Sequence, residues 1–317
     1  MNTKATIVAV AASSLPNRCG DAMVQKKRTG IWSRVRNNWS VRAGGAVLVF
    51  LLCVSLTAPW LGTVDPTLFD AGSRNLLPSA VGEMTSLEGD VAPHHFWLGS
   101  DSLGRDIYSR VVYGAQISLS IGAACAAIAL FFGLLAGLAA GYFKWFDMAI
   151  MRLMDGIMAV PGILVAIALV SLWKGSLTTV IVAVAIPEIP RVTRLVRSLV
   201  LSLREEPYVE AAISLGTRSF GVIFKHLLPN TAAPLIVQGT YVCASAMLTE
   251  SVLSFLGVGL PAELPTWGNI MAEGRASFQQ YPHNVLFAGI ALALTVLAVN
   301  ILGDGLRDTL DPKKAKR

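Results

Sequence analysis

Residues 208–230 read YVEAAISLGTRSFGVIFKHLLPN and lie between two long apolar runs. The stretch is too polar and too broken to cross a bilayer, yet too regularly patterned for an idle linker. Pro207, just before it, suits the first helical position, where no amide donor is needed. Glu205 and Glu206 stand beside the positive end of the helix dipole. Gly216 suits a left-handed stop. These signals predict a helix over Pro207–Leu215, about 14 Å long at 1.5 Å per residue. Val209, Ala212, Ile213 and Gly216 would share one face, and Glu210, Ser214 and Thr217 another. Ala211 and Ala212 keep the profile slim. A short, slim helix with a firm stop is suited to fill a groove on another protein. A helix lying along its own bundle would have the same periodicity.

Composition places that helix beside a membrane. The chain of 317 residues is 54% hydrophobic and 15% charged, against roughly 25% charge in soluble domains. Six apolar runs approach the ~20 residues needed to cross a hydrocarbon core. They are 43–61, 117–143, 151–173, 177–200, 231–257 and 285–302. The expected fold is therefore an all-α integral membrane protein with six transmembrane helices. Its parts would be an N-terminal tail (1–42), a first helix (43–61), an extracytoplasmic loop (62–116), a five-helix core (117–312) and a basic tail (313–317). The core contains the loop 204–230. No internal repeat is obvious.

Basic residues orient these runs. Residues 1–42 hold eight Lys and Arg against one acid, whereas 62–116 hold three against seven acids. Residues 191–230 hold six and the tail after 303 holds five. Both termini and the quoted stretch are thus expected on the cytoplasmic face. The net charge of +6 then needs no nucleic acid to explain it. The segment TIVAVAASSLP (6–16) is too short to span, and reads as a tail rather than a signal peptide. Cys19, Cys53, Cys125 and Cys243 have neither metal-ligand nor disulfide-framework spacing. His94-His95 has no third ligand at helical spacing, so no metal is expected.

Glu210-Ala211-Ala212, Gly216 and Leu228-Pro229 resemble the EAA loop of ABC-importer membrane subunits. His226 stands where the broad pattern has isoleucine, and HLLPN looks like the dipeptide, oligopeptide and nickel branch. LGSDSLGRDIYSRVVYGAQISL (98–119), LTESVLSFLGVG, PTWG and NILGDGLRDTLDP resemble further segments of that branch, so the similarity runs from about residue 30 to 312. GDGLRDTLDP and the long external loop look like the C-type permease of the pair. Gln116, LPAELPTWG and Ala288 depart from the branch's usual arginine, proline-rich segment and proline.

The resemblance implies a type I ABC importer transmembrane fold. It makes Glu210, Ala211, Ala212, Gly216, Leu228 and Pro229 the coupling loop that docks on an ATPase. It implies a second homologous permease, two cytoplasmic ATPase subunits and an extracytoplasmic solute-binding protein, around a cargo of dipeptide, oligopeptide or nickel. The chain has no Gly-Lys-Ser/Thr phosphate loop; GSDSLGRD (99–106) lacks that ending. No catalytic residue or cofactor is therefore expected, with ATP and Mg bound by the partners. An ion-gradient transporter, which often shows repeated halves, would leave the EAA loop unexplained. A membrane metalloprotease would need an HExxH motif, which is absent.

Asp155, Glu188 and Glu250 lie within or at the ends of apolar runs. Such charges cost roughly 2.5–3.5 kcal/mol at bilayer centre on insertion scales, so they should face the bundle interior or a wet path. They are the candidates for pathway or gate. Arg152 is a helix-face partner for Asp155, and Arg191 or Arg194 for Glu188. Glu188 also sits between Pro187 and Pro190, where a kink is expected. Glycines at every fourth position of GLLAGLAAG (133–141) predict close helix packing.

Overall fold

The computed structural model describes residues 35, 37–85, 89–173 and 175–310. The N-terminal segment 6–16, Cys19 and the basic tail 313–317 lie outside the described residues. The chain forms α1 (Trp39–Leu56), strands β1 (Ala80–Thr85) and β2 (Val91–Phe96), then α2 (Ile107–Tyr142), α3 (Lys144–Met158) and α4 (Gly162–Trp173). There follow α5 (Leu177–Ala185), α6 (Ile189–Arg204), α7 (Pro207–Ser214), α8 (Ser219–Phe255), α9 (Trp267–Gly274) and α10 (His283–Leu310). Side chains stop the free amides at several starts. Asn38 caps α1, Asp106 caps α2, Ser176 caps α5 and Thr266 caps α9.

One expectation is corrected. The chain is mostly helical but not all-α, because β1 and β2 form an antiparallel hairpin pairing Ala80 with Phe96 and Thr85 with Val91. Ser73 Oγ pins β1 by donating to the Glu83 carbonyl at 2.7 Å and accepting from the Glu83 amide at 3.1 Å. Neither strand alternates cleanly in sequence, so periodicity missed them. Among the described residues, four helices are long and apolar enough to cross a membrane, and five if a bent pair counts as one span. They are α1, α2, α8 and α10, the pair being α3 and α4 with an 84° bend. The fourth apolar run is divided by a 3₁₀ turn at Ile186–Glu188, which contains Pro187 and is followed by Pro190 in the first turn of the next helix. Its second half, α6, turns Arg191, Arg194 and Arg197 outward and Val192, Val196 and Val200 inward.

The boundaries moved with helix caps. Asp106 starts α2 ten residues ahead of the expected run, so residues 107–116 are helix rather than loop. At 36 residues α2 is about 54 Å long, well over the ~30 Å hydrocarbon core. Likewise α8 begins at Ser219, with a π-helical turn at Ile223–Leu227, so half of the quoted stretch belongs to a spanning helix.

The core is a seam between α2 and α6. Gly133, Gly137 and Gly141 face Val192, Val196 and Val200 in order, each glycine so near its valine that an added Cβ would lie 2.5–2.6 Å from the valine Cβ. Small residues every fourth position thus admit β-branched residues of the same period, as the spacing predicts. α1 packs on α10 through Gly44 and Gly305. Only 11% of α1 is buried, so its Val49, Phe50 and Leu56 are left exposed. α1 is thus peripheral, as expected from the loop that follows it.

Candidate functional site

The predicted helix of the quoted stretch is α7. Pro207 occupies its first turn, and Glu206 stands at the extended N-cap. Its end is a left-handed stop. Gly216 has φ +82°, its amide donates to Ile213 O at 2.9 Å and the Thr217 amide donates to Ala212 O at 3.1 Å. This pair of bonds satisfies carbonyls that the helix would otherwise leave open.

Three attachments tie α7 to the bundle. Val209 is fully buried in the cluster that contains Val222, Leu227 and the α6 valines. Asn230 Nδ2 donates to His226 O at 2.6 Å and to Tyr208 Oη at 3.3 Å, bridging α7 and α8. Arg204, two residues before the N-cap, donates to the carbonyls of Gly141 and Tyr142 at 3.2 and 2.9 Å. It lies 5.2 Å over the Tyr142 ring, so the loop holds the C-terminal end of α2. Burial, and then the charge of Glu206, raise the Tyr208 phenol above its usual range.

The other face of α7 is open. Glu210, Ala211 and Pro229 are exposed, Ala212 and Leu228 are half-buried, and Leu228 packs against the core. Ile213 is exposed although it lies one turn after Val209 on the same face, so the bundle covers only the Val209 end of that face. Leu215 is 87% exposed, and Phe220 and Phe224 are exposed as well. These apolar groups flank a helix whose backbone is fixed on both sides.

The three carboxylates have separate surroundings. Asp155 is exposed and paired with Arg194 of α6 at 2.6 Å, instead of with Arg152 on its own helix. Glu188 is buried in the 3₁₀ turn. It accepts from Ser245 Oγ at 2.9 Å and from Arg191 Nη1 at 3.2 and 3.3 Å, so Arg191 is the partner of the two expected. Glu250 is wholly buried and accepts from Ser254 Oγ at 2.9 Å and Thr266 Oγ1 at 3.0 Å. Thr266 is also the N-cap of α9, so Glu250 fastens α8 to α9.

Sequence reasoning missed a buried charge cluster. Arg105 and Arg110 both hold the carboxylates of Asp101 and Glu273. The spacing of Asp101 and Arg105, with Arg110 one turn inside an apolar helix, was the available signal. Glu273, on the short helix α9, had none.

The sequence pattern of the binding-protein-dependent transport system inner membrane component matches residues 129–316, which include α7, Glu188 and Glu250. The chain belongs to this family. This binding-protein-dependent membrane component is a multi-pass membrane protein. It is 48% identical to a probable peptide ABC transporter permease protein of Sinorhizobium fredii, covering 87% of this chain and 90% of that one. It is 46% identical to a dipeptide transport system permease protein of Alkalihalophilus pseudofirmus, over 72% and 74%. It is 38% identical to a glutathione transport system permease protein of Pectobacterium atrosepticum, over 92% and 93%. Among solved structures, inward-facing MetNI methionine ABC transporter matches with TM-score 0.50 and 18% identity, covering 65% of this chain and 98% of that one. That likeness establishes a shared type I importer fold.

Proposed function

We propose that this chain is the C-type permease subunit of an ATP-driven peptide importer in the bacterial inner membrane. It would pair with a second permease, stand on two cytoplasmic ATPase subunits, and receive cargo from an extracytoplasmic binding protein. Relatives named for peptide, dipeptide and glutathione transport support the peptide class. In this reading both termini are cytoplasmic, and six crossings arise if α3–α4 and α5–α6 each count as one broken span. The chain performs no covalent chemistry, and ATP and Mg are bound by the partners. Its path is formed with the second permease, with Glu188 as the candidate lining carboxylate.

The observation that carries the mechanism is the anchoring of α7. The helix follows α6, whose last residue Arg204 holds the end of α2, and it is attached to the valine core through Val209 and to α8 through Asn230, while Leu215 is open to a partner. An ATPase can shift the balance of inward- and outward-open states only by binding the two differently. A helix fixed to three elements passes that difference on as a rigid-body movement. Glu210, Ala211, Ala212 and Gly216 form the docking surface in this reading, and Leu228-Pro229 lies behind it in α8, directly after the π-helical turn.

Gly216→Asp puts a side chain at φ +82°, at about 1–2 kcal/mol of backbone strain, and adds charge to the docking surface. Glu210→Lys inverts a charge within it. Both variants should insert into membranes at wild-type levels. Each should lose ATPase association on copurification and at least about tenfold of ATP-dependent peptide uptake, the effect of 1.4 kcal/mol at the interface. Full copurification with full uptake in both variants rules out the coupling role.

A further inference from the structure

We infer that Glu188 and Arg191 form a recognition point for the oppositely charged ends of a short peptide. The inference rests on the peptide-importer reading and names the chemistry of its path. Glu188 and Arg191 border a cavity of about 290 Å³ at the elbow between α3 and α4. Pro161, Gly162 and Pro187 shape its wall, and Ser245 and Thr249 of α8 add hydroxyls. Glu188 and Arg191 are its only charged lining residues among those described.

The carboxylate is fixed but not saturated. Ser245 and Arg191 reach Oε1, and only Arg191 reaches Oε2, at 3.3 Å. An ionised carboxylate has about four acceptor positions, so room remains for an ammonium. Arg191 uses Nη1 alone on Glu188, and its Nε and Nη2 have no partner among the described residues. Its side chain is 59% exposed, against 10% for Glu188. A buried anion with a cation at the rim is a fixed dipole. A zwitterion meets both poles favourably, whereas a bare divalent cation would be repelled by a guanidinium 3.2 Å from its single carboxylate. The charge arrangement thus selects a free peptide over a metal ion. A dipeptide spans about 7 Å when extended, and the cavity is just below the roughly 300–1,000 Å³ range of ligand pockets, a size for a small ligand. Glu188 takes the terminal ammonium, and Arg191 takes the carboxylate of a dipeptide or a carbonyl of a longer chain.

The test uses the assembled permease–ATPase complex in nanodiscs, without the binding protein, and saturation-transfer NMR with Ala-Ala and N-acetyl-Ala-Ala as probes. The wild type should show transfer to Ala-Ala and little to the acetylated probe. Glu188→Gln should weaken Ala-Ala binding by about tenfold, as expected for loss of one charged hydrogen bond. The exchange Glu188→Arg with Arg191→Glu keeps the ion pair but reverses the dipole. It should restore thermal stability without restoring Ala-Ala binding. Equal transfer to both probes, no transfer to Ala-Ala in the wild type, unchanged binding in Glu188→Gln, or restored binding in the exchange variant would each overturn the inference. Uptake of Ala-Ala by vesicles supplied with binding protein and ATP tests the underlying reading separately. Wild-type vesicles that accumulate no peptide at all would refute that reading and the recognition point with it.

Discussion

Arg110→Met is expected to destabilise the folded subunit by about 3–5 kcal/mol. The Arg110 side chain is 1% exposed, and its Nη1 lies 2.7 Å from Asp101 Oδ2 and 2.5 Å from Glu273 Oε2. Arg105 contacts the same two carboxylates, with Nε 2.7 Å from Asp101 Oδ2 and Nη2 on Glu273. Two guanidiniums and two carboxylates close a neutral ring that joins residues 101–105, the first turn of α2 and α9. Removing Arg110 leaves a net negative charge where Asp101 is 5% and Glu273 18% exposed. Water cannot fully solvate that charge, so the penalty is larger than for a surface pair. Arg110→Lys should fall between the wild type and Met, because an ammonium keeps the charge and loses the planar fork. Thermal unfolding in nanodiscs, followed by tryptophan fluorescence, reads the effect. Trp267 is a suitable reporter, since its Nε1 donates to Val111 O at 3.0 Å within one turn of Arg110. A melting midpoint equal to the wild type for Arg110→Met would remove the ring from the account of stability.

The second large effect belongs to the helix seam. Gly137→Ala is expected to cost about 1–3 kcal/mol through overpacking, although alanine favours a helix by about 1 kcal/mol over glycine. An added Cβ would stand 2.5 Å from Val196 Cβ and 2.8 Å from Thr193 O. One of those neighbours is backbone, so α2 and α6 must separate rather than repack a side chain. Gly137→Leu should prevent stable assembly of the seam altogether. Val196→Gly removes the facing Cβ, and in the Gly137→Ala background it should recover part of the loss. A coupling of about 0.5–3 kcal/mol is the expected range for residues in contact. Additive midpoints in the double variant would show that the two side chains do not oppose one another. The seam also bears on transport, because α6 leads directly into α7 through Arg204.

Much of the fold was legible because bilayer burial leaves a coarse signal. The apolar runs of α1, α2, α8 and α10 were found within a few residues at most of their ends. The Gly133–Gly141 period announced close packing before any partner was known. Pro207 and Gly216 bracketed α7, since first-turn and left-handed preferences are local properties of the chain. What failed was of two kinds. The hairpin of β1 and β2 is held by Ser73 and cross-strand bonds, and its residues alternate too weakly to be read. The third and fourth runs look continuous in hydropathy, yet prolines at 161, 187 and 190 divide them by geometry rather than polarity.

The candidate site was legible in the same uneven way. Glu188 and Arg191 are three residues apart on one chain segment, so helical spacing admitted their pairing, but Arg194 stood beside it as a second candidate and the structure chose between them. Asp155 took Arg194 from another helix in place of Arg152, and that choice depends on how α3 crosses α6. Ile213 was expected with Val209 and is exposed, because the bundle covers only the Val209 end of that face of α7.

By itself, the sequence determined which segments avoid water, where α7 starts and stops, and which helix face admits a close neighbour. Each depends on residues near one another in the chain. Only the tertiary structure decided that Glu273 joins Arg105 and Arg110, that Thr266 meets Glu250, and that Ser245 of α8 reaches Glu188. Those partners lie 16 to 168 residues apart, and no local preference carries the distance between them.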